Sequence, residues 1–160
     1  MNSRQIELLD LLKNEFERMN SRTNVGATLI DIASIIQDID DSKRIRQEIE
    51  LQNKILRKEL YAEFESKLHQ VKNELITIGI ISEMRSDGTN LRIGSTDDAF
   101  FISSCEDINR IALPDGTSVY KLTKLNIRFN KGAYYSSLFN SVDELVKTNA
   151  FIDRVKVLAR

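Results

Sequence analysis

Side chains able to do acid–base, nucleophilic or metal chemistry are few in this 160-residue chain, and they are scattered. His69 is the only histidine and Cys105 the only cysteine. Glu65-x-x-x-His69 sets a carboxylate one helical turn before an imidazole, a spacing that can ligate a metal or pair an acid with a base. No second His or Cys stands near it, and the Glu-x-x-His spacing of di-iron bundles is absent. Exposed Glu–His neighbours are ordinary on helices, so a solvated or interface histidine is expected. Cys105 is flanked by Glu106 and Asp107, which raise a thiol pKa rather than activate it, so a half-buried inert thiol is expected. The acidic groups Asp38/Asp40/Asp41 and Asp97/Asp98 lack calcium-loop spacing. The run GTNLRIG has the wrong spacing for a phosphate loop, and no G-x-S-x-G occurs. Neither a metal, nor a cofactor, nor a catalytic residue is expected, and the chain reads as a non-enzyme.

Two basic groups suggest an anionic partner. In DIASIIQDIDDSKRIRQEI, Lys43, Arg44 and Arg46 follow a supposed break, as residues opening a recognition helix would. The likeness to a helix-turn-helix is loose. Gln37 and Asp38 stand where the turn wants a glycine and an apolar residue, and three aspartates sit where phosphates would lie. Neutralisation of those aspartates is the simpler role for the triplet. Lys124 and Arg128, with Tyr120, share one strand face and mix basic with aromatic character, as single-strand binding sheets do. Solvated outer sheet faces carry the same pattern. Nucleic acid is therefore the second reading, not the first.

The composition is that of an ordinary globular chain: 41% hydrophobic, 29% charged, net charge −1. So small a net charge gives no bulk pull toward nucleic acid or an anionic membrane. One cysteine excludes an internal disulfide and fits a cytoplasmic setting. The first residues carry acids through their apolar part, unlike a signal peptide. No apolar run approaches the ~20 residues of a membrane span.

The elements that must position these residues fall into a helical front and a mostly β back. Ser3 to about Asn20 reads as a first helix with Ser3 as N-cap. A second helix, about Ala27 to Ile39, is apolar nearly all round, which implies burial on more than one side. The DIDDS break offers Asp41 or Ser42 as N-cap of a third, long helix. Residues 42–76 contain neither Gly nor Pro. Its stripe comprises Ile45, Ile49, Leu56, Leu60, Phe64, Leu68, Val71 and Leu75, at steps too long for a strict heptad. A helix of that length spans about 52 Å, against about 30 Å for a compact module of the C-terminal 84 residues. That mismatch leaves stripe for the other helices or a second copy of the chain to cover.

From Leu75 the pattern turns β. Asp87-Gly88 predicts a type I′ hairpin, and Leu113-Pro114-Asp115-Gly116 a second turn leading into a strand over Ser118–Phe129. Separate strands are expected at Ala99–Ser103 and Ile108–Leu113. Ser141-Val-Asp-Glu144 is a capping box before a short C-terminal helix.

The expected fold is α+β: an N-terminal three-helix bundle with a long third helix, a small antiparallel β module, and a C-terminal helix. Residues 1–76 form the helical oligomerisation region and 77–160 the β module. The expected function is that of an oligomerising protein-interaction module, an adaptor, assembly or inhibitor protein. A homodimer and a protein partner of unspecified identity are expected, and no membrane. The interface is assigned to Ile45, Ile49, Leu56, Leu60, Phe64, Leu68 and Val71.

Overall fold

A computed structural model of the chain describes residues 3–19, 25–86, 88–95, 97–131 and 134–159. In chain order the elements are α1 (Ser3–Met19), α2 (Val25–Thr77), β1 (Ser82–Met84), β2 (Asn90–Ile93), β3 (Phe100–Ala112), β4 (Ser118–Lys131), β5 (Tyr134–Phe139), α3 (Val142–Val146) and α4 (Asn149–Leu158). The mixed class, the antiparallel sheet, the long helix and the C-terminal helix match the sequence reading. Two compact units result: unit 1 is Met1–Glu48 with Ala112–Val119, and unit 2 is Ile49–Ile111 with Tyr120–Arg160.

The three-helix bundle is corrected. The helices expected at 27–39 and from 42 onward are one helix, α2, of 53 residues. Residues 38–42 are helical, and neither Asp41 nor Ser42 is an N-cap. The segment DIDDS contains neither Gly nor Pro, and an interior Asp or Ser costs only up to about 0.7 kcal/mol relative to Ala. Local contacts offset part of that cost. Asp41 accepts a hydrogen bond from Arg44 at 3.2 Å, and the buried Ser42 hydroxyl accepts the Asp115 N–H at 2.9 Å.

In unit 2 the helix from Ile49 onward lies on the five-stranded sheet, whose order β1-β2-β3-β4-β5 is a meander. Leu91 faces Ile102 and Ile93 faces Phe100 across the β2–β3 pair. These four are fully buried against Phe64, Leu68, Val71 and Leu75 of α2, together with Leu125 and Ile127 of β4. α3 and α4 close the core through Val142, Leu145 and Phe151. Phe151 packs edge-on to Phe100 at 6.1 Å between ring centroids, and Phe100 to Phe129 at 5.3 Å, spacings at which such pairs add to burial. The domain boundary expected at 76/77 falls inside this unit, since residues on both of its sides share one core.

The strands reach further than a compact module of equal length. β3 has 13 residues and β4 has 14, about 43–46 Å at the usual rise. The two strands expected at 99–103 and 108–113 are thus one, because Cys105-Glu106-Asp107 contains nothing that interrupts a ladder. Polar side chains along α2 fasten the helix to this sheet and to α3. The Asn53 amide donates to the Tyr120 carbonyl and accepts from the Leu122 N–H, both at 2.8 Å, as a neighbouring strand would. Arg57 makes a two-point contact with Glu106 at 2.6 and 2.9 Å. Lys67 meets Asp143 at 2.9 Å.

The ends of the elements follow their residues. α2 stops where Gly79 takes φ +84°, a conformation that a side chain disfavours. The Ile80 N–H then bonds the Leu75 carbonyl at 2.9 Å and the Gly79 N–H bonds that of Ile76 at 3.0 Å. This is a Schellman ending, and its apolar contact is the buried pair Leu75 and Ile80. Ser141 caps α3 by accepting the Glu144 N–H at 3.1 Å. Glu144 reaches back one residue beyond the expected box, to the Asn140 N–H, at 2.9 Å. Residues Arg154–Leu158 continue α4 and are not a strand. Asp87 lies outside the described residues, so of the expected first turn only Gly88, at φ +68°, is described.

Candidate interaction surface

Unit 1 consists of α1, the first half of α2 and the β3–β4 turn. The turn is built by Leu113-Pro114-Asp115-Gly116, with the Gly116 N–H on the Leu113 carbonyl at 3.0 Å and Gly116 at φ +78°. The buried Asp115 carboxylate is its hub. It accepts from the Thr117 N–H at 2.9 Å, from the Thr117 hydroxyl, and from the Arg4 guanidinium of α1. Arg46 of α2 donates to the Ser118 carbonyl at 3.2 Å and to the Thr117 hydroxyl at 2.9 Å. Burial opposes ionisation of Asp115; the bonds from Thr117, Arg4 and Ser42 outweigh it and hold the carboxyl below its usual pKa.

Polar bonds therefore hold the turn of unit 1 to α1 and α2, and many of the described apolar side chains on these helices are exposed. Of the described side chains over residues 3–15 and 30–48, every Ile and Leu is exposed or half-buried, and the one buried residue is Ser42. Ile6, Leu9 and Leu11 on α1 are 48–57% exposed, and Ile30, Ile35 and Ile36 on α2 are 39–70% exposed. Leu113 and Val119 of the turn segment are the buried apolar residues among those described in this unit. A groove runs between α1 and α2, and two of its cavities, of about 320 and 220 Å³, share Leu8, Leu11 and Ile35 as lining. Leu12, Ile32 and Ile39 complete its apolar floor, and Glu7, Glu15, Asp31 and Asp38 stand along it.

The residues assigned to an interface from sequence are placed elsewhere. Ile49, Phe64, Leu68 and Val71 are buried in unit 2's own core, while Leu56 and Leu60 are half-buried there. Ile45 is half-buried in unit 1. The stripe was correctly periodic, but the sheet and α3–α4 occupy it. The second helix, expected to be buried on several sides, instead holds Ile30, Ile35 and Ile36 in solvent. Its apolar circumference was the signal that marks this surface.

The basic residues are dispersed. α2 has no turn before Lys43, so Lys43, Arg44 and Arg46 open no helix, and the helix-turn-helix likeness is overturned. Arg46 is bound to the turn and Arg44 to Asp41, while Lys43 is exposed. Lys124 donates to the Asn140 side chain at 2.9 Å, and Arg128 lies opposite Leu138 in the β4–β5 pair. His69 is half exposed, 3.8 Å from Glu65. Cys105 lies half-buried within β3. Among the described residues no group of three or more His, Cys, Asp or Glu could hold a metal ion. Nor, among them, is any helix long and apolar enough to cross a membrane. Compared with models of known protein families, with curated proteins and with solved structures, the chain finds no match.

Proposed function

We propose that this chain is a non-enzymatic protein-interaction module that self-associates through the helices of unit 1. The observation that carries the reading is the apolar surface of α1 and the first half of α2, where no described Ile or Leu is buried. Ile6, Leu9, Ile30 and Ile36 offer apolar area that a second copy would remove from water. Burying the exposed half of one such side chain is worth on the order of 1 kcal/mol. In a two-fold dimer each such contact is made twice. A weak, reversible dimer is the expected form, with the remaining surface left for a further protein.

Sedimentation velocity tests this. At tens of micromolar the protein sediments as a dimer or higher species, and the double variant Ile6→Asp, Ile30→Asp sediments as a folded monomer. A wild-type protein that stays monomeric across that range refutes self-association.

A further inference from the structure

We propose that the groove between α1 and α2 receives an amphipathic helix from another protein, with Lys or Arg on both shoulders of its apolar face. The proposal rests on the reading of unit 1 as an interaction surface and names the partner's chemistry. The apolar lining of the groove on the two helices is leucine and isoleucine: Leu8, Leu11, Leu12, Ile32, Ile35 and Ile39. The described groove-lining part of α1, Arg4 to Leu12 and on to Glu15, spans about 17 Å, the length of a helix of about three turns. Side chains at i, i+3, i+4 and i+7 of such a helix would enter this floor.

Charge decides which helix. Glu7 and Glu15 come from α1, Asp31 and Asp38 from α2, so acids line the groove from both helices. Arg4 is the one base among the lining residues, and it is paired with Asp115. Unit 1 as a whole holds seven Lys and Arg against ten Asp and Glu. A second copy presenting the same face would set acid against acid, which costs affinity and excludes the wrong partner. A basic-shouldered helix sets a base against Glu7, Asp31 and Asp38. Self-association then uses the outer faces, around Ile6, Leu9, Ile30 and Ile36, and leaves the groove to a different protein.

The test is fluorescence anisotropy on the full chain with two labelled synthetic peptides. Both are helical and carry leucine at the four anchor positions; one has lysine on its shoulders, the other glutamate. The lysine peptide is expected to bind at micromolar Kd, about tenfold or more tighter than the glutamate peptide. In Glu7→Lys, Asp31→Lys, two changes at exposed positions, the preference reverses while circular dichroism stays as in wild type. No binding of the lysine peptide, or equal binding of both peptides, overturns the proposal. So does lysine-peptide binding that appears only as the protein dissociates, because a second copy then fills the groove. Sedimentation of the same samples separates the two readings. An oligomer that ignores both peptides sinks the groove alone, and a monomer that takes the lysine peptide sinks self-association alone.

Discussion

Asp115 ties three segments of unit 1 together: α1 through Arg4, α2 through Ser42, and the turn through Thr117. Its pKa is lowered in the fold, against the pull of burial, by the hydrogen bonds of Thr117 and the charge of Arg4. A lowered carboxylate pKa stabilises the fold above the group's ordinary value of 3.8. That contribution disappears as the pH falls through the lowered value. Asp115→Asn is therefore expected to be less stable than wild type at neutral pH, and the gap should close as the pH falls from neutral to below the ordinary value of 3.8. Urea midpoints measured by circular dichroism across that range check it. A gap that is constant with pH would show that the carboxylate's charge is not what holds the turn. The turn residues themselves were legible in sequence, since Pro-Asp-Gly has few other uses. The reach of Asp115 to Arg4 was not, because a pair 111 positions apart leaves no local trace.

At the scale of elements, periodicity located α2 and the strand faces, and what it missed was continuity. Asp and Ser stand at helix caps and inside helices alike, so DIDDS looked like a break although no residue in it prevents a helix. Likewise the separate strands expected at 99–103 and 108–113 run together through residues 104–107 as β3. β5 was not marked as a strand, although Tyr134-Tyr-Ser-Ser-Leu-Phe139 is aromatic and apolar enough to pair with β4. The stripe of α2 gave the right face and the wrong occupant. A compact module of 84 residues predicts a sheet too short to cover the stripe, and hence a seam between molecules. With strands of 13 and 14 residues the sheet covers it. Phe64, 4% exposed among Leu68, Leu91 and Leu145, separates these two views. Phe64→Ala is expected to cost about 3–5 kcal/mol of unfolding free energy, as core aromatic truncations do. It should leave the sedimentation behaviour of the folded protein unchanged. Urea unfolding and sedimentation velocity on one sample decide it: loss of assembly without loss of stability would return the stripe to an intermolecular role.

Across the whole molecule the two units differ in how their apolar side chains are used. Unit 2 buries a core among helix, sheet and two short C-terminal helices, and also exposes apolar side chains such as Leu51, Ile55, Ile78, Ile81 and Leu138. Unit 1 is held by a polar turn, and six of its twelve described leucines and isoleucines are exposed, five half-buried and one buried. The excess of acids lies in unit 1, while unit 2 holds sixteen bases against fourteen acids. Six of the seven residues that the sequence assigns to an interface lie in unit 2, and Ile45 lies in unit 1. The central claim is that α1 and the first half of α2 are covered by a second copy in solution. Hydrogen–deuterium exchange at rising protein concentration tests it most directly, because association stabilises only the segments it covers. Amides of residues 3–15 and 30–40 are predicted to gain protection as concentration rises, while those of 82–112 and 142–158 keep theirs unchanged. Exchange independent of concentration in α1 and early α2, or protection gained only in unit 2, would contradict the account.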